Sequence, residues 1–246
     1  MSMPPEENRR PSLKTNGRVW VVIVFLFLLL LAAVISVIRV TAWQERGSNA
    51  RILTLVNPWN GLEDTDYTVH KTETEDGFFV DKACADALKT MLADCRGAGG
   101  APKIAAAYRT IDEQLGLYDG EIQRRIDGGM TPEEATASVS LEIAVPGRSE
   151  HELGLAVDLV DAASPALDAS QAGTPTQQWL MKNAWRYGFI LRYPEGGEEI
   201  TGFTYQPWHY RYVGEEAASR ISSLGVTLEE YISLFYNEEA TVVFEK

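Results

Sequence analysis

The chain has 246 residues, of which 45% are hydrophobic and 23% are charged, and its formal net charge at pH 7 is −13. This length suits one ordinary domain with short appendages, and the composition is typical of a globular protein with a core. The acidic balance argues against nucleic acid as a partner, because nucleic-acid-binding proteins need a basic surface to hold phosphates.

An apolar segment near the amino terminus predicts a membrane anchor. Residues 19–38 carry no charge, and their number is close to the ~20 residues with which an α-helix crosses a bilayer. Basic residues are slightly more frequent before the segment than after it, which favours a cytoplasmic amino terminus. The alternative is a cleaved signal peptide, although the apolar part of such peptides usually spans only about 7–15 residues.

Either interpretation places the rest of the chain outside the cytoplasm, and an uncleaved anchor makes the chain a single-pass membrane protein. We therefore expect four parts in chain order: a cytoplasmic tail at 1–18, a transmembrane anchor at 19–39, a linker at 40–50 and a folded domain at 51–246.

The predicted elements of the folded domain mix strands and helices without strict alternation. Apolar patterns predict strands at 51–56, 104–108, 155–160, 189–192 and 208–213. Helices are predicted at 81–96, 110–126, 174–187, 215–222 and 228–235, with a further helix opening at Thr131-Pro132. This order predicts an α+β fold with a mostly antiparallel sheet and helices packed on one side.

The two cysteines, Cys84 and Cys95, lie eleven residues apart within one predicted helix. At about 1.5 Å rise per residue, their Cα atoms are expected roughly 16 Å apart. A disulfide needs less than about 7 Å, so both are predicted to be free, partly buried helix residues.

Two of the three histidines lie in polar motifs, whereas His70 matches none and is predicted to be an ordinary surface residue. His151 and His209, together with Asp158, form a normal ligand set for catalytic zinc, which leaves a fourth position for water. Asp158 interrupts an apolar strand, where an unpaired buried carboxylate is costly and a cation removes that cost. Structural histidines are the alternative that spacing alone leaves open.

The spacing of seven residues between His151 and Asp158 requires a turn. Along one straight strand their side chains would point to opposite faces. Gly154 can supply the turn that brings them to one site, because glycine tolerates a positive φ.

These motifs resemble a known family. The pattern SxHxxGxAxD at 149–158, followed by WHxRY at 208–212, resembles the VanY-type D-alanyl-D-alanine carboxypeptidases of the LAS group of zinc metallopeptidases. The resemblance runs from about residue 53 to the end of the chain and includes further motifs in the same order: Leu55-Val56-Asn57, Tyr108-Arg109-Thr110 with Gln114, Pro146-Gly147, and residues 188–214.

The resemblance implies a zinc ion in a central cleft, held by His151, Asp158 and His209. It implies that the enzyme removes the terminal D-alanine from peptidoglycan stem peptides that end in D-Ala-D-Ala. Further roles are implied for four residues: Arg109 polarises the scissile carbonyl, Ser149 and Gln114 bind the end of the substrate, and Trp208 orients His209.

One position departs from the family pattern. The residue three before the second histidine is a glutamate in the family, where it is the general base, and here it is Gln206. An amide cannot take up a proton, and general acid–base catalysis contributes about 10²–10⁴-fold in rate. The nearby carboxylates are predicted to occupy other positions: Glu150, Glu152, Glu198 and Glu199.

Three interpretations of Gln206 remain open. The glutamine is an engineered inactivation, or it marks a natural stem-peptide-binding or sensor domain that does not cut, or a neighbouring carboxylate restores activity. A separate alternative keeps the chemistry but changes the bond, which gives an endopeptidase that cuts elsewhere in the stem peptide.

Overall fold

The computed structural model describes residues 23–27, 30, 51–64 and 67–236. The chain divides into two compact units, 1–48 and 49–246. In the first unit the described residues are helical, with exposed apolar side chains. The rest of the predicted tail, anchor and linker lies outside the described residues. Within the described ranges, no helix combines the length and the apolar character that membrane crossing requires.

The second unit is an α+β domain, as predicted. Its strands are β1 (Lys71–Glu73), β2 (Phe79–Asp81), β3 (Pro102–Ala106), β4 (Ala156–Asp161), β5 (Phe189–Tyr193) and β6 (Gln206–Tyr212). Its α-helices are α1 (Lys82–Gly97), α2 (Ile111–Asp127), α3 (Pro132–Ser140), α4 (Pro175–Asn183), α5 (Glu198–Thr201), α6 (Glu215–Leu224) and α7 (Leu228–Tyr236). Short 3₁₀ helices occur at Leu62–Asp64, Glu150–Leu153, Ala169–Gly173 and Ala184–Tyr187.

The main sheet has the strand order β3-β4-β6-β5, and every neighbouring pair is antiparallel. All six residues of the inner strand β4 are buried. Val157 and Leu159 of β4 belong to the hydrophobic core, so Asp158 between them points to the opposite face of the sheet. The register of β4 and β6 pairs Asp158 directly with His209.

The strand predicted at 51–56 is wrong. The segment forms a helical turn followed by irregular backbone, although Ile52, Leu53 and Val56 are buried in the core as their apolar character required. The carbonyls of Ile52 and Thr54 accept hydrogen bonds from the Arg211 guanidinium. These side-chain bonds satisfy backbone groups that a sheet would otherwise have paired.

Helix starts agree with the sequence analysis. Thr110 and Thr131 each cap a helix in a complete capping box, with Glu113 and Glu134 as the returning carboxylates.

Both cysteines are free and fully buried on α1, so the absence of a disulfide between them is confirmed and their burial is greater than predicted.

We predict that Gly154→Ala destabilises the domain more than an ordinary glycine-to-alanine change. Gly154 has φ +67°, and a Cβ there would lie 2.9 Å from the backbone nitrogen of Asp81, which donates a hydrogen bond to the Gly154 carbonyl. The left-handed φ alone costs an alanine about 1–2 kcal/mol, and the close contact adds to it.

Gly77→Ala is the matched control, because Gly77 has φ +81° and no atom within 4 Å of the added Cβ. Denaturant unfolding should show a larger loss for Gly154→Ala than for Gly77→Ala. Equal losses would mean that the chain around Asp81 adapts to the added methyl group.

Candidate metal centre

Three predicted ligands meet at one buried point. His151, Asp158 and His209 each offer one ligand atom, and these atoms all lie within 4.8 Å of one another. The three residues are only 3%, 6% and 4% exposed. His151 belongs to the 3₁₀ helix Glu150–Leu153, which Gly154 ends in the left-handed conformation before the chain enters β4. The predicted turn at Gly154 is therefore present.

The hydrogen bonds of the two rings decide which nitrogens face inward. Nδ1 of His151 lies 2.7 Å from the carbonyl oxygen of Ala107, so it carries the proton and donates. Nε2 of His151 then faces Oδ2 of Asp158 at 3.3 Å, while Nδ1 of His209 lies 3.0 Å from Oδ1 of the same carboxylate. The donors that converge are thus one nitrogen from each ring and the Asp158 carboxylate.

This donor set fits a zinc ion. Two imidazole nitrogens and one carboxylate are a usual protein contribution to catalytic zinc. The carbonyl of Ala107 fixes the tautomer of His151, which is the common arrangement behind a metal-binding histidine. The cluster therefore has both the ligand atoms and the outer hydrogen bond that such a site needs.

The electrostatics differ between the two histidines. Burial lowers the pKa of His151 to about 4, and the positive charge of Arg109 adds to this effect. Burial alone would also lower the pKa of His209, but the neighbouring carboxylates of Asp158 and Glu150 outweigh it and raise that pKa. Burial alone would raise the pKa of Asp158, but the charges and hydrogen bonds of the two histidines lower it, so the carboxylate stays ionised.

Arg109 lies beside the cluster and is held in place. Its backbone nitrogen donates to the carbonyl of His151 at 3.2 Å, and its Nε donates to Oε1 of Gln114 at 2.9 Å. Gln114 is fully buried and donates from Nε2 to the carbonyl of Ala144 at 2.7 Å. The structure therefore places Gln114 as a support for the Arg109 guanidinium, a role that the sequence analysis did not foresee.

The roles implied for Ser149 and Trp208 stay predictions, and the structure shows what surrounds each of them. Ser149 caps the 3₁₀ helix of His151, and its hydroxyl accepts from the His151 backbone nitrogen. Trp208 is only partly buried. Within the described part of the chain, the ring that contacts His209, apart from His151, is that of Tyr193, with centroids 4.7 Å apart. Tyr193 was missed because it is sixteen residues away in the sequence and reaches His209 only through strand pairing.

Gln206 opens β6 and is 5% exposed. Its Nε2 donates to the carbonyl oxygen of Glu142 at 2.9 Å. That acceptor requires a donor opposite it, which an amide supplies and an ionised carboxylate does not. The glutamine is therefore matched to its surroundings by a hydrogen bond of its own.

The neighbouring carboxylates are engaged elsewhere. Glu152 accepts from the backbone nitrogens of Gly147 and Ser149, while Glu198 accepts from Gly196. Glu199 is exposed on α5. Glu150 is buried against two arginines, whose charges outweigh the effect of burial and lower its pKa. A carboxylate with a lowered pKa is a poor proton acceptor near neutral pH.

The match to known proteins covers most of the folded domain. The VanY family model, described as D-alanyl-D-alanine carboxypeptidase, matches residues 77–215, more than half of the chain. A D-alanyl-D-alanine carboxypeptidase of Enterococcus faecalis is 37% identical over 193 residues, which span 78% of this chain and 70% of that protein. Putative carboxypeptidase YodJ of Bacillus subtilis is 39% identical over 155 residues, 62% of this chain and 53% of YodJ.

Solved structures agree with the sequence matches. VanYB in complex with D-alanine-D-alanine superposes with a TM-score of 0.68 at 37% identity, over 74% of this chain and 98% of VanYB. A second structure is a glutamate-to-alanine mutant of the D,D-pentapeptidase VanY from a VanB-type resistance cassette, in complex with Zn(II). Its TM-score is 0.66 at 37% identity, over 73% of this chain and 98% of that chain. The LD-carboxypeptidase LdcB superposes with a TM-score of 0.65 at 32% identity, over 75% of this chain and 87% of LdcB.

Proposed function

The chain belongs to the VanY family of D-alanyl-D-alanine carboxypeptidases, and from this we propose that its domain binds zinc and acts on peptidoglycan stem peptides ending in D-Ala-D-Ala. The reaction is removal of the terminal D-alanine, and the amide at Gln206 is expected to lower its rate. The observation that carries this proposal is the convergence of His151, Asp158 and His209 within 4.8 Å. Two related structures support it, one with Zn(II) and one with D-alanine-D-alanine.

His151 through Nε2, His209 through Nδ1 and Asp158 through its carboxylate would hold the ion. When bound, zinc supplies Lewis acidity, which polarises a carbonyl and lowers the pKa of water. Arg109 supplies a fixed positive charge next to this centre, because Gln114 holds its Nε. Its guanidinium is placed to offset negative charge that develops on the oxygen of the scissile carbonyl.

Gln206 limits the proton transfers of this reaction. A hydrolysis needs a group that takes a proton from water and passes it to the leaving amine. The amide of Gln206 can position a water molecule through its oxygen but cannot accept the proton. We therefore expect binding of metal and peptide together with slow release of D-alanine.

A non-catalytic stem-peptide-binding or sensor domain is the second candidate. The observation in its favour is the hydrogen bond from Gln206 to the Glu142 carbonyl, which makes the amide a fitted part of the structure.

An endopeptidase that uses the same metal centre to cut another bond of the stem peptide is a further alternative. Mass analysis of digested muropeptides distinguishes it from the carboxypeptidase.

We also propose that the domain lies outside the cytoplasm on a single-pass anchor. The uncharged apolar run at 19–38 supports this placement. Protease accessibility of the folded domain in intact cells, compared with cells whose membrane is opened, tests it.

The function is tested with the full chain, zinc, and a pentapeptide that ends in D-Ala-D-Ala. We expect one zinc ion per chain and calorimetric binding of the peptide that is lost when a chelator removes the metal. A slow, zinc-dependent release of D-alanine is expected from the same mixture. A peptide ending in D-Ala-L-Ala is the control and should be a poorer ligand. Absence of zinc uptake contradicts the proposal outright.

A further inference from the structure

A buried network of charges adjoins the metal centre. Glu150, Arg192 and Arg211 have fully buried side chains, and Glu229 of α7 is nearly buried. Oε1 of Glu150 accepts from Nε of Arg192 at 2.7 Å and from Nη1 of Arg211 at 2.8 Å. Of these four residues, only Glu150 is predicted from the sequence to lie near the site, as one of several nearby carboxylates.

The two oxygens of Glu150 have different partners. Oε1 takes both arginines, whereas Oε2 has no hydrogen-bond partner among the described residues. Nε2 of His209 is likewise buried without a hydrogen bond in the described part of the chain. These two atoms face each other at 3.4 Å.

Unpaired buried polar atoms are uncommon and costly, so two that face each other call for an explanation. A histidine that binds a metal through Nδ1 must carry its proton on Nε2. Oε2 of Glu150 is the carboxylate oxygen next to that nitrogen, at 3.4 Å, and a small movement of the ring or of the carboxylate completes the hydrogen bond.

We propose that Glu150 is a positioning residue that accepts the Nε2–H of His209 and so keeps Nδ1 free to bind the metal. The role rests on the metal site of the proposed function and deepens it. Ala107 performs the matching task for His151, where a backbone carbonyl accepts from Nδ1 and leaves Nε2 free. His151 thus binds the metal through Nε2 and His209 through Nδ1. The reason is that the acceptor oxygen lies next to Nδ1 in His151 and next to Nε2 in His209.

The arginines keep Glu150 ionised and in place. Arg192 is fixed from behind by both oxygens of Glu229, at 2.9 and 2.6 Å. Arg211 is fixed by the carbonyls of Ile52 and Thr54. Because both arginines use Oε1, the position of Oε2 opposite His209 is determined without any bond to Oε2 itself.

Glu150→Gln is a sharp test because it keeps the size of the side chain. The amide oxygen should take the two arginines, which are donors only, so the NH₂ group then faces Nε2 of His209. A donor opposite Nε2 favours the tautomer with its proton on Nδ1, which has no lone pair left for a metal. We therefore expect zinc affinity to fall by about 10–100-fold, as for other outer-shell changes.

Glu229→Gln is the matched control, since it removes a carboxylate from the same network without touching His209. Zinc affinity of the full chain is measured by chelator competition. The tautomer of His209 is read from long-range ¹H–¹⁵N NMR of the imidazoles before zinc is added, because bound zinc itself fixes the proton on Nε2. We expect Glu229→Gln to lower the melting temperature and to reduce zinc affinity by less than Glu150→Gln does, because Arg211 still holds Oε1 of Glu150, and the tautomer of His209 should stay as in the unaltered chain.

Glu150→Asp serves if Glu150→Gln does not fold. It retains the charge between the arginines but withdraws the carboxylate from His209, so zinc affinity should fall while the fold is kept. Unchanged zinc affinity in a folded Glu150 variant overturns the proposal, as does an equal loss in Glu229→Gln. If the unaltered chain binds no zinc, the metal site fails as well, and the role of Glu150 fails with it.

Discussion

Replacing Gln206 by glutamate is expected to raise the rate of D-alanine release by about 10²–10⁴-fold, the usual contribution of a general base. The change converts a side chain that can only hydrogen-bond into one that can accept a proton and return it. The metal ligands are untouched, so zinc affinity should change little. Release from a pentapeptide ending in D-Ala-D-Ala, measured at saturating zinc and peptide, gives the comparison.

The same variant should lose some stability. The Nε2 of Gln206 donates to the Glu142 carbonyl at 2.9 Å, and a carboxylate at that place would put two acceptors together. Loss of that hydrogen bond is expected to lower the free energy of unfolding by about 0.5–1.5 kcal/mol. Higher activity with lower stability would show that the glutamine favours the resting fold over turnover.

Gln206→Leu is the control for size, because it lacks both the amide and the carboxylate. It should be as slow as the unaltered chain or slower, and it should lose the hydrogen bond to Glu142 in the same way. If Gln206→Glu with bound zinc releases no more D-alanine than Gln206→Leu, the catalytic proposal fails. The stem-peptide-binding function is then the one that remains.

The ligand cluster could be predicted because its signals are local in the sequence. His151 and Asp158 belong to one motif, and Gly154 between them predicts the turn that brings them together. The third ligand, His209, comes from a second motif, and its match to Asp158 depends on the antiparallel pairing of β4 with β6. The resemblance implied that the three residues hold one zinc ion, whereas spacing alone left structural histidines open, and the pairing of the two strands was not predicted.

The parts that were missed depend on contacts between distant residues. Glu150 lies 42 residues from Arg192 and 61 from Arg211, so no periodic pattern connects them. Strands β1 and β2 have only three residues each, which is too short for an alternating pattern to be recognised.

The predicted strand at 51–56 is wrong because a short apolar run is compatible with more than one backbone conformation. Its apolar residues are buried as expected, but Ile52, Leu53 and Val56 fit a helical turn as well as a strand. Their burial is set by packing against the core, and Arg211 takes up two of the backbone carbonyls. Short apolar runs leave helix and strand ambiguous until such partners are known.

Removing the Arg109 guanidinium should lower kcat by about 10²–10³-fold when Arg109→Ala is made in the more active Gln206→Glu background. Arg109 is placed to offset charge that develops during the reaction, so the loss should fall mainly on kcat rather than on KM. Zinc affinity should not fall, because Arg109 is not a ligand and its positive charge opposes binding of another cation.

Arg109→Lys separates charge from placement. Lysine keeps the positive charge but has no Nε–H to donate to Gln114, the bond that holds the guanidinium at 2.9 Å. We expect its kcat to lie between those of the arginine and alanine proteins. If lysine restores full activity, a mobile charge suffices and the support from Gln114 is unnecessary. If alanine raises KM and leaves kcat unchanged, Arg109 binds the substrate without assisting the chemical step.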